Sequence, residues 1–148
     1  MLNNKIRIGV IGLGYLGKFH YKKYKENKLV DLTSVVDIDT KNCSIVKEKG
    51  VLKCDKYQDI VDKVDAVSIV TPTVTHYKLA KYFLDNKIHV LLEKPMTETV
   101  SQAKKLNTIA KKNKCVLQIG HLEQFNPAIR KLRESVCKPQ FIEVHRLC

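Results

Sequence analysis

The chain has 148 residues, 44% of them hydrophobic, enough for one domain whose core needs neither disulfides nor a metal to hold it. Its 27 lysines and arginines against 15 acidic residues give a formal net charge of +12, yet only four of the basic residues are arginines. The lysines are spread over nearly every predicted helix, as at Lys22, Lys23, Lys25, Lys104, Lys105, Lys111 and Lys112, which reads as a solvated surface with a general pull on anions and argues against a nucleic-acid face. Five cysteines (Cys43, Cys54, Cys115, Cys137, Cys148) are scattered, odd in number and without zinc spacing, so a reducing compartment and no metal are expected. The start "MLNNKIRIG" lacks the apolar core of a signal peptide, and no apolar run reaches the length of a membrane span. The expected setting is the cytoplasm, with no membrane and no nucleic acid as partner.

In chain order, strands are expected near 5–11, 31–37, 65–71, 88–92 and 115–120, with a weaker one near Val51 to Cys54. Helices are expected near 14–26, 39–49, 74–86, 99–113 and 126–137. Such alternation predicts an α/β fold, a doubly wound parallel sheet with helices on both faces. The strands "VDAVSIV" and "IHVLL" are apolar almost throughout, as strands covered on both sides must be. Thr99 and Gln102 form the pattern of a capping box before Ala103, Leu106 and Ala110. Asn126 and Pro127 read as N-cap and first residue of a last helix, with Ile129, Leu132 and Val136 as its buried stripe. The terminal "QFIEVHRLC" reads as a strand that needs neighbours, either at an edge of this sheet or from another chain.

The stretch "VIGLGYLGKFH", residues 10–20, follows the first strand and sets Gly12, Gly14 and Gly17 at the spacing G-x-G-x-x-G. After a strand and before a helix, that spacing suits a pyrophosphate. Gly12 makes the tight turn, Gly14 lets backbone approach the phosphates, and Gly17 lets helix pack on strand. Tyr15 and Leu16, between the glycines, count with them as cofactor contacts. Asp37 ends the second strand 20 residues past Gly17, where a carboxylate accepts the ribose hydroxyls and repels a 2′-phosphate. NAD is therefore expected over NADP, with Asp39 and Lys41 nearby as further influences on that choice.

Two more stretches fall at carboxyl ends of strands. "TPTVTH", residues 71–76, puts Thr71, Pro72 and Thr73 on a rim over the cofactor, unless Thr73 and Thr75 only cap the following helix. His76 either lines that rim or faces solvent. "EKP", residues 93–95, holds Lys94 extended before proline, and an X-Pro bond can be cis. An ammonium in a partly desolvated site can act as general acid or base, although a surface lysine satisfies the same residues.

Taken together, "GLGYLG", Asp37, "TPTVTH", "EKP" and "IGHLEQFNPA" resemble the Gfo/Idh/MocA family of NAD(P)-dependent oxidoreductases, from about Lys5 to the end of the chain. "GHLEQFNPA" and "FIEVHRL" are most similar to its nucleotide-sugar branch, which includes UDP-N-acetylglucosamine 3-dehydrogenases. The resemblance implies a Rossmann NAD(P)-binding domain over 1–121, and over 122–148 a helix and strand leading into a second α+β domain. It implies hydride transfer between a sugar carbinol and nicotinamide, with Lys94 catalytic, Glu93 and Pro95 on the cofactor wall, and Thr71, Pro72 and His76 bordering the dinucleotide. Gly120, His121, Gln124 and Asn126 fall where the family turns towards substrate, although an N-cap role already accounts for Asn126. Relatives usually carry arginine at the position of Gln124. The family's Asp/His catalytic pair and most of its oligomer contacts belong to the second domain and have no counterpart in these residues. A non-catalytic dinucleotide-binding module, or one half of a split enzyme, is the alternative reading.

Overall fold

Six parallel strands form one sheet in the computed structural model, which describes residues 5–143 and 145. They are β1 (Ile6–Ile11), β2 (Val30–Val36), β3 (Leu52–Cys54), β4 (Ala66–Ile69), β5 (His89–Leu92) and β6 (Leu117–Ile119). The helices are α1 (Tyr15–Glu26), α2 (Thr73–Asp85), α3 (Val100–Lys112) and α4 (Pro127–Ser135). The spatial order is β3-β2-β1-β4-β5-β6. The chain winds outward from β1 in one direction and from β4 in the other. Loops leaving the carboxyl ends of β1 and β4 therefore diverge, and a cleft opens between them.

Because successive side chains on a strand face opposite ways, each strand feeds two cores. Val10 and Val35 pack with Leu13 and with Tyr21 of α1 on one face. Ile11, Val67, Ile69, Val90 and Leu92 pack with Phe83 and Leu84 of α2 and Leu106 of α3 on the other. Burial of a side chain such as Phe83, fully enclosed, stabilises by roughly 1.5–3 kcal/mol. At the amino end of the sheet the Arg7 guanidinium pairs with Asp65 at 2.7 Å, which fixes β1 against the start of β4 and holds the Asp65 carboxyl below its usual range.

A second ion pair ties α1 to the segment before β3. The Glu48 carboxylate accepts from Lys25 at 2.5 Å and from the Tyr21 hydroxyl, and these partners pull its pKa from 4.5 down to about 2. A carboxyl that is more acidic when folded stabilises above its unfolded pKa, and that contribution is lost as pH falls through the folded one. Glu48→Gln is therefore expected to lower the melting temperature near neutral pH and to flatten its acid decline between 4.5 and about 2. Parallel acid melting curves for the two proteins would refute this.

Several expected elements differ. The helix expected over 39–49 is a 3-10 turn, Thr40–Ile45, capped by Asp39 accepting from the Lys41 amide at 3.1 Å. Cys43 and Val46 are buried but too few to anchor a long helix, and the chain turns away towards Gly50, whose φ is +92°. A further 3-10 segment, Tyr57–Lys63, buries Ile60. α2 begins at Thr73 with Pro72 in the N-cap position and no side-chain cap, so neither Thr73 nor Thr75 caps it. Only half of the capping box of α3 forms: Thr99 Oγ1 accepts from the Gln102 amide at 3.2 Å, while Gln102 Oε1 has no partner.

The stripe on α4 is not buried. Leu132 is 49% and Val136 38% exposed, because no neighbouring element covers that face among the described residues. Residues 140–143 and 145 are irregular and exposed rather than a strand, with no adjacent strand among the described residues to satisfy their backbone; residues 144 and 146–148 lie outside the described residues.

Candidate functional site

The turn between β1 and α1 is built by glycines with different tasks. Gly12 has φ +88°, and a Cβ there would stand 2.5 Å from the Val70 carbonyl oxygen, so the turn can cross β4 only without a side chain. A Cβ on Gly17 would overlap the Gly12 carbonyl oxygen, which is how closely α1 lies on the turn. Gly14 has nothing within 4 Å of its would-be Cβ and occupies the N-cap of α1 without a side-chain cap. Free amides of the first helical turn border open space there, the arrangement an anion needs. Tyr15 and Leu16, 79% and 47% exposed, stand on the same turn.

Asp37 closes the far side of this turn. Its Oδ2 accepts from the Leu13 amide at 2.7 Å and its Oδ1 from the Asp39 amide at 2.9 Å, with the residue only 9% exposed. The carboxylate thus clamps the glycine turn to the end of β2, a role the sequence reading did not include. Between them lies a largely apolar cavity of about 470 Å³, lined by Gly12, Gly14, Asp37, Thr71, Pro72 and Leu79 among others. Asn42, Asp55 and Lys78 also line it and were not singled out from sequence. The two larger hollows, about 590 and 560 Å³, lie between α2 and α3 and at the amino ends of the strands, away from this chemistry.

On the opposite rim Thr71 Oγ1 meets Thr75 Oγ1 at 2.7 Å, and the Thr75 hydroxyl donates to the Pro72 carbonyl at 2.8 Å. Thr73 opens α2 beside them. His76 departs from both expectations. It is 1% exposed, with Nδ1 2.9 Å from the Pro95 carbonyl oxygen and Nε2 2.8 Å from that of Thr71, so it neither faces solvent nor lines the cavity. Packing of α2 against the sheet draws the ring inward at this position.

The Lys94–Pro95 peptide is cis, and Lys94 is exposed at the tip of β5. Glu93 points the other way. Only 6% exposed, it sets Oε1 3.2 Å from His20 Nε2 and Oε2 3.2 Å from the Lys94 amide nitrogen, so its carboxylate belongs to α1's side of the sheet rather than to the cavity wall. His20 Nδ1 meets the Ser68 hydroxyl at 2.8 Å, and burial pushes the imidazole below its ordinary pKa against the opposing pull of Glu93. Gly120 closes this compartment: a Cβ there would stand 2.7 Å from Glu93 Oε1. His121 and Asn126 are exposed and Gln124 half-buried beyond β6. Asn126 is locally committed, Oδ1 accepting from the Ala128 amide at 3.0 Å and Nδ2 donating to Glu123 at 2.9 Å.

A glycine turn, an acidic residue at the end of β2 and a cleft at the reversal of strand order define a dinucleotide-binding α/β domain. The chain belongs to the GFO_IDH_MocA oxidoreductase family with an NAD-binding Rossmann fold, whose pattern it matches over residues 6–121. It is 37% identical over 146 residues to UDP-N-acetylglucosamine 3-dehydrogenase of Acidithiobacillus ferrooxidans, covering 96% of this chain and 45% of that protein. The solved structure of that enzyme superposes with a TM-score of 0.79 at 36% identity, over 88% of this chain and 43% of the other. The scyllo-inositol 2-dehydrogenase (NAD(+)) of Bacillus subtilis is 30% identical, over 91% of this chain and 41% of its own. The chain spans less than half the length of these curated relatives. None of the described helices is long and apolar enough to cross a membrane.

Proposed function

We propose that these residues form the cofactor-binding part of an NAD-dependent oxidoreductase acting on a sugar or nucleotide sugar. The observation that carries the reading is Asp37, buried at the end of β2 and bonded to the Leu13 amide of the glycine turn, inside the same cavity as Gly12 and Gly14. The space beside Gly14 and the amides above it fit a pyrophosphate, and Asp37, Asp39 and Asp55 around the cavity disfavour a further phosphate on the ribose. Tyr15, Leu16, Thr71, Pro72 and Thr73 border the same dinucleotide. When bound, NAD supplies the hydride acceptor or donor.

Lys94 holds the proton. As a carbinol carbon becomes a carbonyl, its hydroxyl proton passes to the Lys94 amine, and the reverse reaction returns it. His121 and Gln124 face the substrate side. The 37% identity to a UDP-N-acetylglucosamine 3-dehydrogenase supports the nucleotide-sugar branch. Residues 1–121 are the dinucleotide unit and 122–148 a lead-in to a further domain. Four free cysteines among the described residues, Cys43, Cys54, Cys115 and Cys137, support a cytoplasmic setting.

The test is a fluorescence titration of the purified chain with NADH and, separately, NADPH; with no tryptophan in the chain, nicotinamide emission is the reporter. Saturable binding that favours NADH is expected. Binding of neither would overturn the reading.

The exposed apolar residues Leu132, Val136, Phe141 and Ile142 favour a second reading, in which a partner copy or a separate polypeptide covers them and this chain binds cofactor without turnover by itself. Translating the DNA beyond codon 148 separates the two: an in-register continuation of the family pattern favours a whole enzyme, and its absence a binding module.

A further inference from the structure

The tripeptide Glu93-Lys94-Pro95 is held on both sides of its lysine by histidines from opposite faces of the sheet. From α1, His20 Nε2 reaches the Glu93 carboxylate at 3.2 Å, and the other carboxylate oxygen accepts from the Lys94 amide at 3.2 Å. Because Glu93 can only accept, Nε2 donates, and Nδ1 of a neutral ring is left to accept from the Ser68 hydroxyl at 2.8 Å. The lowered pKa of His20 agrees with that neutral form. Ser68 is fully buried in β4, so the ring is anchored to the middle of the sheet. The missing side chain of Gly120 leaves room for the carboxylate, which a Cβ there would crowd at 2.7 Å. From α2, the fully enclosed His76 sits between two backbone carbonyls, Nδ1 2.9 Å from that of Pro95 and Nε2 2.8 Å from that of Thr71; a neutral ring donates to one of them and packs against the other. Polar groups buried this deeply are expensive unless paired, so each contact constrains its partners.

We infer that His20 and His76 are positioning residues that grip Glu93 and Pro95 from the two faces of the sheet, fixing where Lys94 is carried, and that His76 couples this point to the cofactor rim at Thr71. The inference rests on the reading of Lys94 as the proton-holding residue. Neither histidine lines the cavity; His76 reaches its rim through the Thr71 carbonyl, and His20 acts on Lys94 through the Glu93 carboxylate and the Lys94 amide. A misplacement of about 1 Å is enough to cost on the order of 100-fold in a reaction, which is why a lysine at a strand tip needs such fixing.

The experiment uses the full chain with NADH as probe. Lysines are reductively methylated with ¹³C, and the Lys94 resonance is assigned by its loss in Lys94→Arg. In the free protein, exchange of the Lys94 backbone amide is expected to speed up several-fold in His20→Leu while amides of β1 keep their protection. On NADH addition, the displacement of the Lys94 methyl resonance is expected to shrink several-fold in His20→Leu and in His76→Leu, with NADH affinity changed by less than about tenfold. His20→Gln and His76→Gln, whose amides replace the donors, should restore both signals. Folded leucine variants with wild-type Lys94 signals, or glutamine variants no better than leucine, would overturn the inference. If a leucine variant does not fold, Glu93→Gln is read in place of His20→Leu and Ser68→Ala beside it, with the same outcomes. Failure of the wild-type chain to bind NADH would instead refute the oxidoreductase reading, and the amide exchange would still decide the positioning.

Discussion

Gly17→Ala is expected to destabilise the fold by about 3 kcal/mol, lowering the melting temperature by roughly 10 °C, whereas Gly14→Ala should leave it within about 1 kcal/mol of the parent. Alanine inside a helix ordinarily gains up to about 1 kcal/mol over glycine, so helix propensity alone predicts the opposite sign at Gly17. The neighbour decides. The new methyl would overlap the Gly12 carbonyl oxygen, a backbone atom that cannot rotate away, and α1 would have to lift from the turn. At Gly14 φ is −62°, an angle alanine adopts freely, and nothing stands within 4 Å. The methyl of Gly14→Ala would instead enter the space proposed for a pyrophosphate, so NADH affinity should fall about tenfold or more in a protein that melts normally. Circular dichroism melting and NADH titration on the two variants give the result. A Gly17→Ala protein as stable as the parent would show that the helix has slack at this point. A Gly14→Ala protein that binds NADH unchanged would remove the turn from the cofactor site.

What the sequence carried and what it hid divide along local and distant contacts. β4 and β5 were legible because strands covered on both faces must be apolar almost throughout, and "VDAVSIV" and "IHVLL" are; β1 was legible from Ile6, Ile8, Val10 and Ile11 ahead of the glycines. The turn and Asp37 were legible because glycines and an acid at a strand end obey fixed spacings. The region 39–49 misled because the chain there is committed to meeting β3 within a few residues, which leaves room only for the Thr40–Ile45 turn. α4 misled because its stripe has true helical period, and period states which residues share a face without stating that anything covers it. His20 and Glu93 lie 73 positions apart on different elements, and no spacing rule joins them. A local hint was the carboxylate placed directly after the apolar strand β5, which must find a partner if buried.

Asp37 is the residue at which fold and cofactor choice meet, and its substitution should separate them. Asp37→Ala removes the acceptor for the Leu13 and Asp39 amides together with the group proposed to hold the ribose hydroxyls. Hydrogen bonds to a charged acceptor contribute about 1.5–3 kcal/mol each, so NADH affinity should fall at least about tenfold. The advantage of NADH over NADPH should narrow as well, since the negative charge that repels a 2′-phosphate is gone. Asp37→Asn keeps the shape and one acceptor oxygen but not the charge. It should recover only part of the stability lost in Asp37→Ala, since its Nδ2 faces one of the two amides that Asp37 accepts, while still narrowing the preference, because repulsion depends on charge. Parallel titrations with NADH and NADPH, with melting curves as the control for the turn, give both quantities. If both variants keep the parent's affinity and preference, Asp37 serves the turn alone, and discrimination between the cofactors must come from Asp39 or Asp55, the other carboxylates that line the cavity.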